Sequence, residues 1–155
     1  MQRWDCKIHV WGYIGAGGVR SIQLIKEGTV TKETYLALMK RTVGRREWRN
    51  DRIWQQDNAT AHTAGVVAEW LEKNVTRLED WPPNSPDLSP IENLWGRMWA
   101  DALKKKPTNI GELWSAVEEV FTSYDDQYID NLVLSFRRRV MKCVEAKGES
   151  IGSEY

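Results

Sequence analysis

The segment Trp81-Pro82-Pro83-Asn84-Ser85-Pro86-Asp87-Leu88-Ser89-Pro90-Ile91-Glu92-Asn93-Leu94-Trp95 changes character half-way along. Its first half is an ordered loop or turn series, because Pro82, Pro83 and Pro86 fix φ and donate no backbone hydrogen bond. Its second half opens a helix, with Ser89 at the N-cap, Pro90 at the first helical position and Glu92 at the third. Ile91, Leu94, Trp95, Met98 and Ala102 then fall on one apolar stripe. Glu92 therefore sits in the first turn, where backbone N–H groups and the helix dipole favour its ionised form. Taken alone, the same placement is a capping box, a purely structural device.

Upstream, Arg52 to Gln56 is a short strand candidate ending on Asp57-Asn58. A carboxylate at a strand end is held rigidly yet reaches solvent, a common ligand position in open α/β sheets. An ordinary turn or helix cap fits Asp57-Asn58 equally well. The 34 residues from Asn58 to Ile91 hold a helix bearing Val66, Val67, Trp70 and Leu71, a strand over Val75 to Trp81, and the proline loop. That length lets the chain return beside the strand it left.

Further outward, Lys7 to Ile14 and Ser21 to Ile25 read as a β-hairpin turned by Gly15-Ala16-Gly17-Gly18. Thr31 is the expected N-cap of a helix carrying Tyr35, Leu36, Leu38 and Met39. Gly44 to Asp51 is polar and basic, a loop or helix end. Pro107 stops the Glu92 helix, Asn109 and Glu112 open another through Phe121, and a last helix spans Gln127 to Ala146. The order is a mixed α/β pattern.

The chain has 155 residues, with 22 basic and 22 acidic side chains and a formal net charge of zero. That length suits one domain with a substantial core. The charge balance excludes a strongly basic arm or a long acidic tail, though not local basic patches. Cys6 and Cys143 match neither a disulfide framework nor a zinc motif, which favours a reducing compartment over secretion. No apolar run approaches the roughly 18 residues of a membrane span, and the first residues do not read as a signal peptide. Nine tryptophans stand against two phenylalanines. Trp54, Trp70, Trp81 and Trp95 fall on apolar stripes or strand ends and are expected in the core.

Gln56-Asp57-Asn58-Ala59-Thr60-Ala61-His62-Thr63 and the Trp81–Trp95 segment together resemble the catalytic core of the Tc/mariner superfamily of transposases. The spacing of 34 residues with glutamate last resembles the Tc branch. Trp11-Gly12 with its glycine turn and Ile25-Lys26-Glu27-Gly28 also look like the family, as does the stretch from Ser135-Phe136-Arg137-Arg138-Arg139 to Tyr155. The resemblance implies an α/β, ribonuclease H-like (DDE transposase/integrase) domain, with residues 1–106 as its core and 107–155 as C-terminal helices of the same domain. It also implies three acids holding two Mg²⁺ or Mn²⁺ ions, with Asp57 as the second acid and Glu92 as the third. Oxygen donors at about 2.0–2.1 Å suit Mg²⁺, and two ions about 3.5–4 Å apart clamp the attacking and leaving oxygens. Asn58 and His62 would support Asp57, although a locally bonded helix-start histidine is an equal reading of His62.

The first acid of the family lies on a strand before the hairpin. The expectation is therefore that this chain starts at the second strand and lacks that acid. Asp5 is a poor substitute, because it lies too close to the hairpin. The activity implied is cut-and-paste transposition of double-stranded DNA, both transposon ends and target, with self-association, no membrane and, for a eukaryotic host, a nuclear location. The alternative is a non-catalytic remnant that binds DNA or another transposase subunit. Arg45, Arg46, Arg137, Arg138 and Arg139 are the candidate phosphate contacts.

Overall fold

The computed structural model describes residues 8–25, 30–43 and 52–152. The chain divides into two compact units, Glu27–Asn84 and Met1–Lys26 with Ser85–Tyr155. The helices on either side of Pro107 share one core.

In the larger unit, β1 (His9–Gly15) and β2 (Val19–Ile25) form an antiparallel hairpin, paired from His9↔Ile25 to Gly15↔Val19. Three helices follow in this unit: α4 (Pro90–Lys104), α5 (Ile110–Ser123) and α6 (Asp126–Glu145). Leu94 and Met98 of α4, Val117 and Phe121 of α5, and Ile129 of α6 are among its buried centre, with Ile14 and Ile22 of the hairpin packed against it. The stripe expected from helical spacing is therefore the buried face. Helix α5 starts as the sequence predicts: Asn109 accepts from the Glu112 N–H at 2.9 Å, and Glu112 accepts from the Asn109 amide at 2.9 Å. Glu112 also accepts from the Thr108 N–H, so its carboxylate ties down the residues just before the helix.

The hairpin turn is fastened to the start of α6. Gly17 and Gly18 have positive φ, and their N–H groups both donate to Asp130 Oδ1, at 2.7 and 3.2 Å. Arg20 donates to Asp126 Oδ1 at 2.7 Å and to the Tyr124 carbonyl at 2.7 Å. On β1, Gly12 faces α4. A Cβ there would stand 2.7 Å from the Ser21 carbonyl oxygen and 2.8 Å from the Trp95 ring. Neither the paired backbone nor a packed indole can retreat cheaply. Gly12→Ala should therefore cost about 1–3 kcal/mol, read as a lower urea midpoint with an unchanged m-value. A midpoint equal to wild type would show that α4 shifts freely on the hairpin.

A short 3-10 turn, Pro86–Leu88, precedes α4. Asp87 Oδ2 accepts from the Ile151 N–H at 2.8 Å and from Ser150 at 3.0 Å, pinning the residues after α6 to this turn. Burial pushes the Asp87 carboxyl up. Hydrogen bonds from Ile151, Ser150 and the backbone N–H groups of Asp87 and Leu88 outweigh it, and the group titrates below its ordinary value of 3.8. A carboxyl depressed by folding stabilises fully above its unfolded pKa, and that contribution is lost as pH falls through the folded one. Acid melts of Asp87→Asn should thus lose less stability between pH 6 and pH 3 than those of wild type. Identical acid losses would remove Asp87 from the balance.

The smaller unit contains α1 (Lys32–Thr42), β3 (Ile53–Trp54), α2 (Thr60–Thr63), α3 (Gly65–Asn74) and β4 (Thr76–Arg77). Thr31 caps α1 as expected, accepting from the Thr34 N–H at 3.2 Å. Strands β3 and β4 are parallel, with Ile53↔Thr76 and Trp54↔Arg77 as pairs. Both are shorter than the sequence suggests. Asp80 turns the chain away from β4 at φ 55°, just before the proline series. The single helix expected after Asp57 is broken in two by Ala64, whose ψ of 139° is extended. Tyr35, Leu38, Met39, Trp54, Val67 and Leu71 are buried here. Trp54 is the buried member of the tryptophan set expected inside, while Trp70, Trp81 and Trp95 are partly buried. No helix among the described residues is long and apolar enough to cross a membrane.

Candidate active site

Asp57 lies three residues beyond β3, where the extended chain passes into α2. Its side chain is 68% exposed. Oδ1 accepts from the Ala59 N–H at 3.1 Å and faces His62 Nδ1 at 2.6 Å. An ionised carboxylate offers no proton, so Nδ1–H of His62 is the donor. Both contacts fall on the same oxygen. Among the described residues, Oδ2 takes no hydrogen bond. His62, at the start of α2, is thus bonded to Asp57 five residues before it. Asn58 instead donates to the Trp81 carbonyl at 2.8 Å, joining the strand end to the residue that starts the proline series.

Behind His62 lies a layer that sequence reading missed. Gln56 Oε1 accepts from the Tyr35 hydroxyl at 2.6 Å and from Trp54 Nε1 at 2.9 Å, while its amide donates to the His62 carbonyl at 3.0 Å. The Tyr35 and His62 rings lie 4.1 Å apart between centroids, tilted by 34°. Gln56 thereby fixes the backbone of His62, Tyr35 covers its ring, and Asp57 takes its Nδ1–H. Gln56 was visible as the neighbour of Asp57. Its partner Tyr35 is 21 residues away, and no local signal links them.

Glu92 lies in the first turn of α4, in the other unit, and is exposed. The expected capping box is not formed in full. Ser89 occupies the N-cap position with extended backbone, but its side chain makes no capping hydrogen bond. The Glu92 N–H instead reaches the Ser89 carbonyl at 3.2 Å. Ser89 therefore caps the helix that presents Glu92 through its backbone and not through its hydroxyl.

The arginine cluster separates. Arg137 and Arg138 are exposed on α6. Arg139 is fully buried, and its guanidinium donates to Ser135, Asp87 and Asn93. The expectation that Arg139 contacts DNA is corrected accordingly: the heptad-like spacing of α6 turns it inward, away from any phosphate. Arg45, Arg46 and Asp5 lie outside the described residues. Among the described residues, no group of three or more His, Cys, Asp or Glu side chains forms a metal cage. Asp57 and Glu92, each within its own unit, carry carboxylate oxygens, which are hard donors of the kind Mg²⁺ and Mn²⁺ prefer.

A family model described as "DDE superfamily endonuclease" matches residues 2–113. The chain belongs to this family. The DDE match takes in both Asp57 and Glu92. Among curated relatives, the chain is 30% identical over 146 residues to the Tcb1 transposase of Caenorhabditis briggsae, covering 91% of this chain and 52% of that protein. It is 31% identical over 149 residues to the Tc3 transposase of Caenorhabditis elegans, covering 93% of this chain and 45% of that protein. The chain thus spans about half the length of the curated relatives it matches. Among solved structures, it superposes on the Mos1 transposase catalytic domain, studied with raltegravir and Mn, at a TM-score of 0.71 and 27% identity. That match covers 85% of this chain and 71% of the other. The fold is the α/β, ribonuclease H-like fold of the DDE transposases, as the sequence implied, with α5 and α6 as its C-terminal helical part.

Proposed function

We propose that this chain is the catalytic portion of a Tc/mariner-type transposase, acting on DNA phosphodiesters in cut-and-paste transposition. The observation that carries the reading is the Asp57 carboxylate. Within the DDE-matched segment, one of its oxygens is held by Ala59 and His62, and the other takes no hydrogen bond from the described residues. A carboxylate fixed in this way is pre-oriented for a cation, since partners behind a ligand set its direction.

Asp57 and Glu92 would each give a carboxylate to Mg²⁺ or Mn²⁺, two ions in the complete site. The Mos1 catalytic domain structures with Mn and with Mg support that choice. The metals would supply charge neutralisation at the phosphate and acidify the attacking water or 3′-hydroxyl. The chain's own part is orientation. His62 holds Oδ1 of Asp57, Gln56 and Tyr35 hold His62, and the first turn of α4 favours ionised Glu92.

The substrate would be double-stranded DNA, as transposon ends and as target, with self-association during the reaction. The Mos1 paired-end and strand-transfer complexes support this reading. Arg137 and Arg138, exposed on one turn of α6, suit phosphate contact, and a nuclear location would follow for a eukaryotic host. The deciding experiment is nicking of supercoiled plasmid carrying the transposon ends. In a form that also carries the first acid upstream, cleavage should need Mg²⁺ or Mn²⁺, stop with chelator, and be lost in Glu92→Gln. Cleavage that persists in Glu92→Gln would remove Glu92 from the site. DNA binding without cleavage under every metal condition would favour a binding protein over an enzyme.

A further inference from the structure

We infer that Arg139 is a positioning residue for the turn of helix that carries Glu92. The inference rests on the reading of Glu92 as a metal ligand. Arg139 is fully buried on α6. Its Nε donates to Ser135 Oγ at 2.9 Å, one terminal nitrogen to the Asp87 carbonyl at 2.8 Å, and the other to Asn93 Oδ1 at 2.8 Å. Ser135 in turn donates to the Leu132 carbonyl at 2.6 Å, so its oxygen is itself held in place.

These acceptors come from separate places in the chain. Asp87 lies in the 3-10 turn before α4, Asn93 follows Glu92 directly, and Ser135 is one turn back along α6. One planar group thus grips both sides of the residues that start α4, at sequence separations of 52 and 46. A guanidinium presents its donors in a rigid fork, so it sets direction as well as distance. The Ser89 side chain makes no capping hydrogen bond at this turn. The Asp87 carboxylate adds a second tie, to Ser150 and Ile151. Glu92 is thereby aimed by a residue on a helix 47 positions later in the sequence. Metal affinity depends on such aiming, and losing a partner behind a ligand typically costs about 10–100-fold.

The test is Mn²⁺ titration of the full chain by water-proton relaxation, at a temperature where circular dichroism shows every variant folded. Glu92→Gln, Asn93→Ala, Arg139→Lys and Val117→Ala are compared with wild type. Val117→Ala loosens the same core without touching the α4 start. Asn93→Ala and Arg139→Lys should each weaken Mn²⁺ about tenfold. Combined they should do no more than the stronger single change, and Val117→Ala should stay within twofold of wild type. Amide exchange over residues 90–94 should quicken in Asn93→Ala while α5 keeps its protection. If Arg139→Lys does not fold, Asn93→Ala decides, because it leaves the Arg139 bonds to Ser135 and Asp87 in place. Wild-type affinity in Asn93→Ala and Arg139→Lys, with loss in Glu92→Gln, would overturn the positioning role and leave the metal reading standing. Wild-type affinity in Glu92→Gln, or no Mn²⁺ binding by wild type, would overturn both.

Discussion

In a form that also carries the first acid upstream, Asp57→Asn should leave the chain folded and cut metal-dependent DNA cleavage at least a thousandfold, on the order of 4 kcal/mol of transition-state stabilisation. The two halves of that expectation come from the two oxygens of one side chain. Oδ1 accepts from the Ala59 N–H and from His62, and an amide oxygen can still accept there. The local turn therefore survives, and the melting temperature should move by no more than a degree or two. Oδ2 is the oxygen without a hydrogen-bond partner among the described residues. In asparagine its place is taken by a neutral NH₂ group, which points positive hydrogens where a cation would sit. The negative charge that balances a divalent ion is lost as well. Single-turnover nicking, with circular dichroism on the same samples, separates the outcomes. Cleavage within tenfold of wild type would sink Asp57 as a metal ligand. His62→Ala should fall between the two, because it frees Oδ1 without removing the charge.

Arg139→Ala should be the most damaging change to stability, about 3–5 kcal/mol. The substitution empties the space of a large side chain and leaves Asp87 O, Asn93 Oδ1 and Ser135 Oγ without this donor. An acceptor buried without its partner costs about 1–3 kcal/mol, and the cavity adds to that. Removing the buried cation relieves part of its own desolvation penalty, which keeps the total below the simple sum. For a chain of this size the loss corresponds to roughly 10 °C in melting temperature. Arg137→Ala, one turn of the same cluster but exposed, should change stability by less than about 0.5 kcal/mol. Equal melting temperatures for the two variants would show that the buried network contributes nothing.

The contrast between these arginines shows where sequence reading stops. Arg137, Arg138 and Arg139 are adjacent and chemically identical. Three basic residues in a row suggest a phosphate contact, and only the rotation of α6 against the 3-10 turn and α4 sends the third inward. Ser89 is a second case. Its position at the N-cap was legible, since Pro90 and the apolar stripe mark the helix start, yet its hydroxyl does not cap. Asn109 and Glu112 carry a comparable signal and do form the reciprocal bonds. Local pattern identifies the boundary in both cases, but the tertiary surroundings choose which donors and acceptors meet. The strands are a third case. Their apolar runs predict extended chain, while ladder length depends on a partner strand and on turns such as the one at Asp80.

The sequence by itself determined the helix start that carries Glu92, the cap of α5 and the motifs that mark membership in the DDE family. These are local or short-range matters, set by residues within a turn or two of one another. Tertiary structure alone decided that Gln56 and Tyr35 brace His62 and that Asp130 holds the hairpin turn. It alone decided that Arg139 grips the start of α4. Each of these depends on side chains brought together from 6 to 113 positions apart. Burial and hydrogen-bond partnership at such distances follow from which faces pack, and no spacing within a single element encodes that.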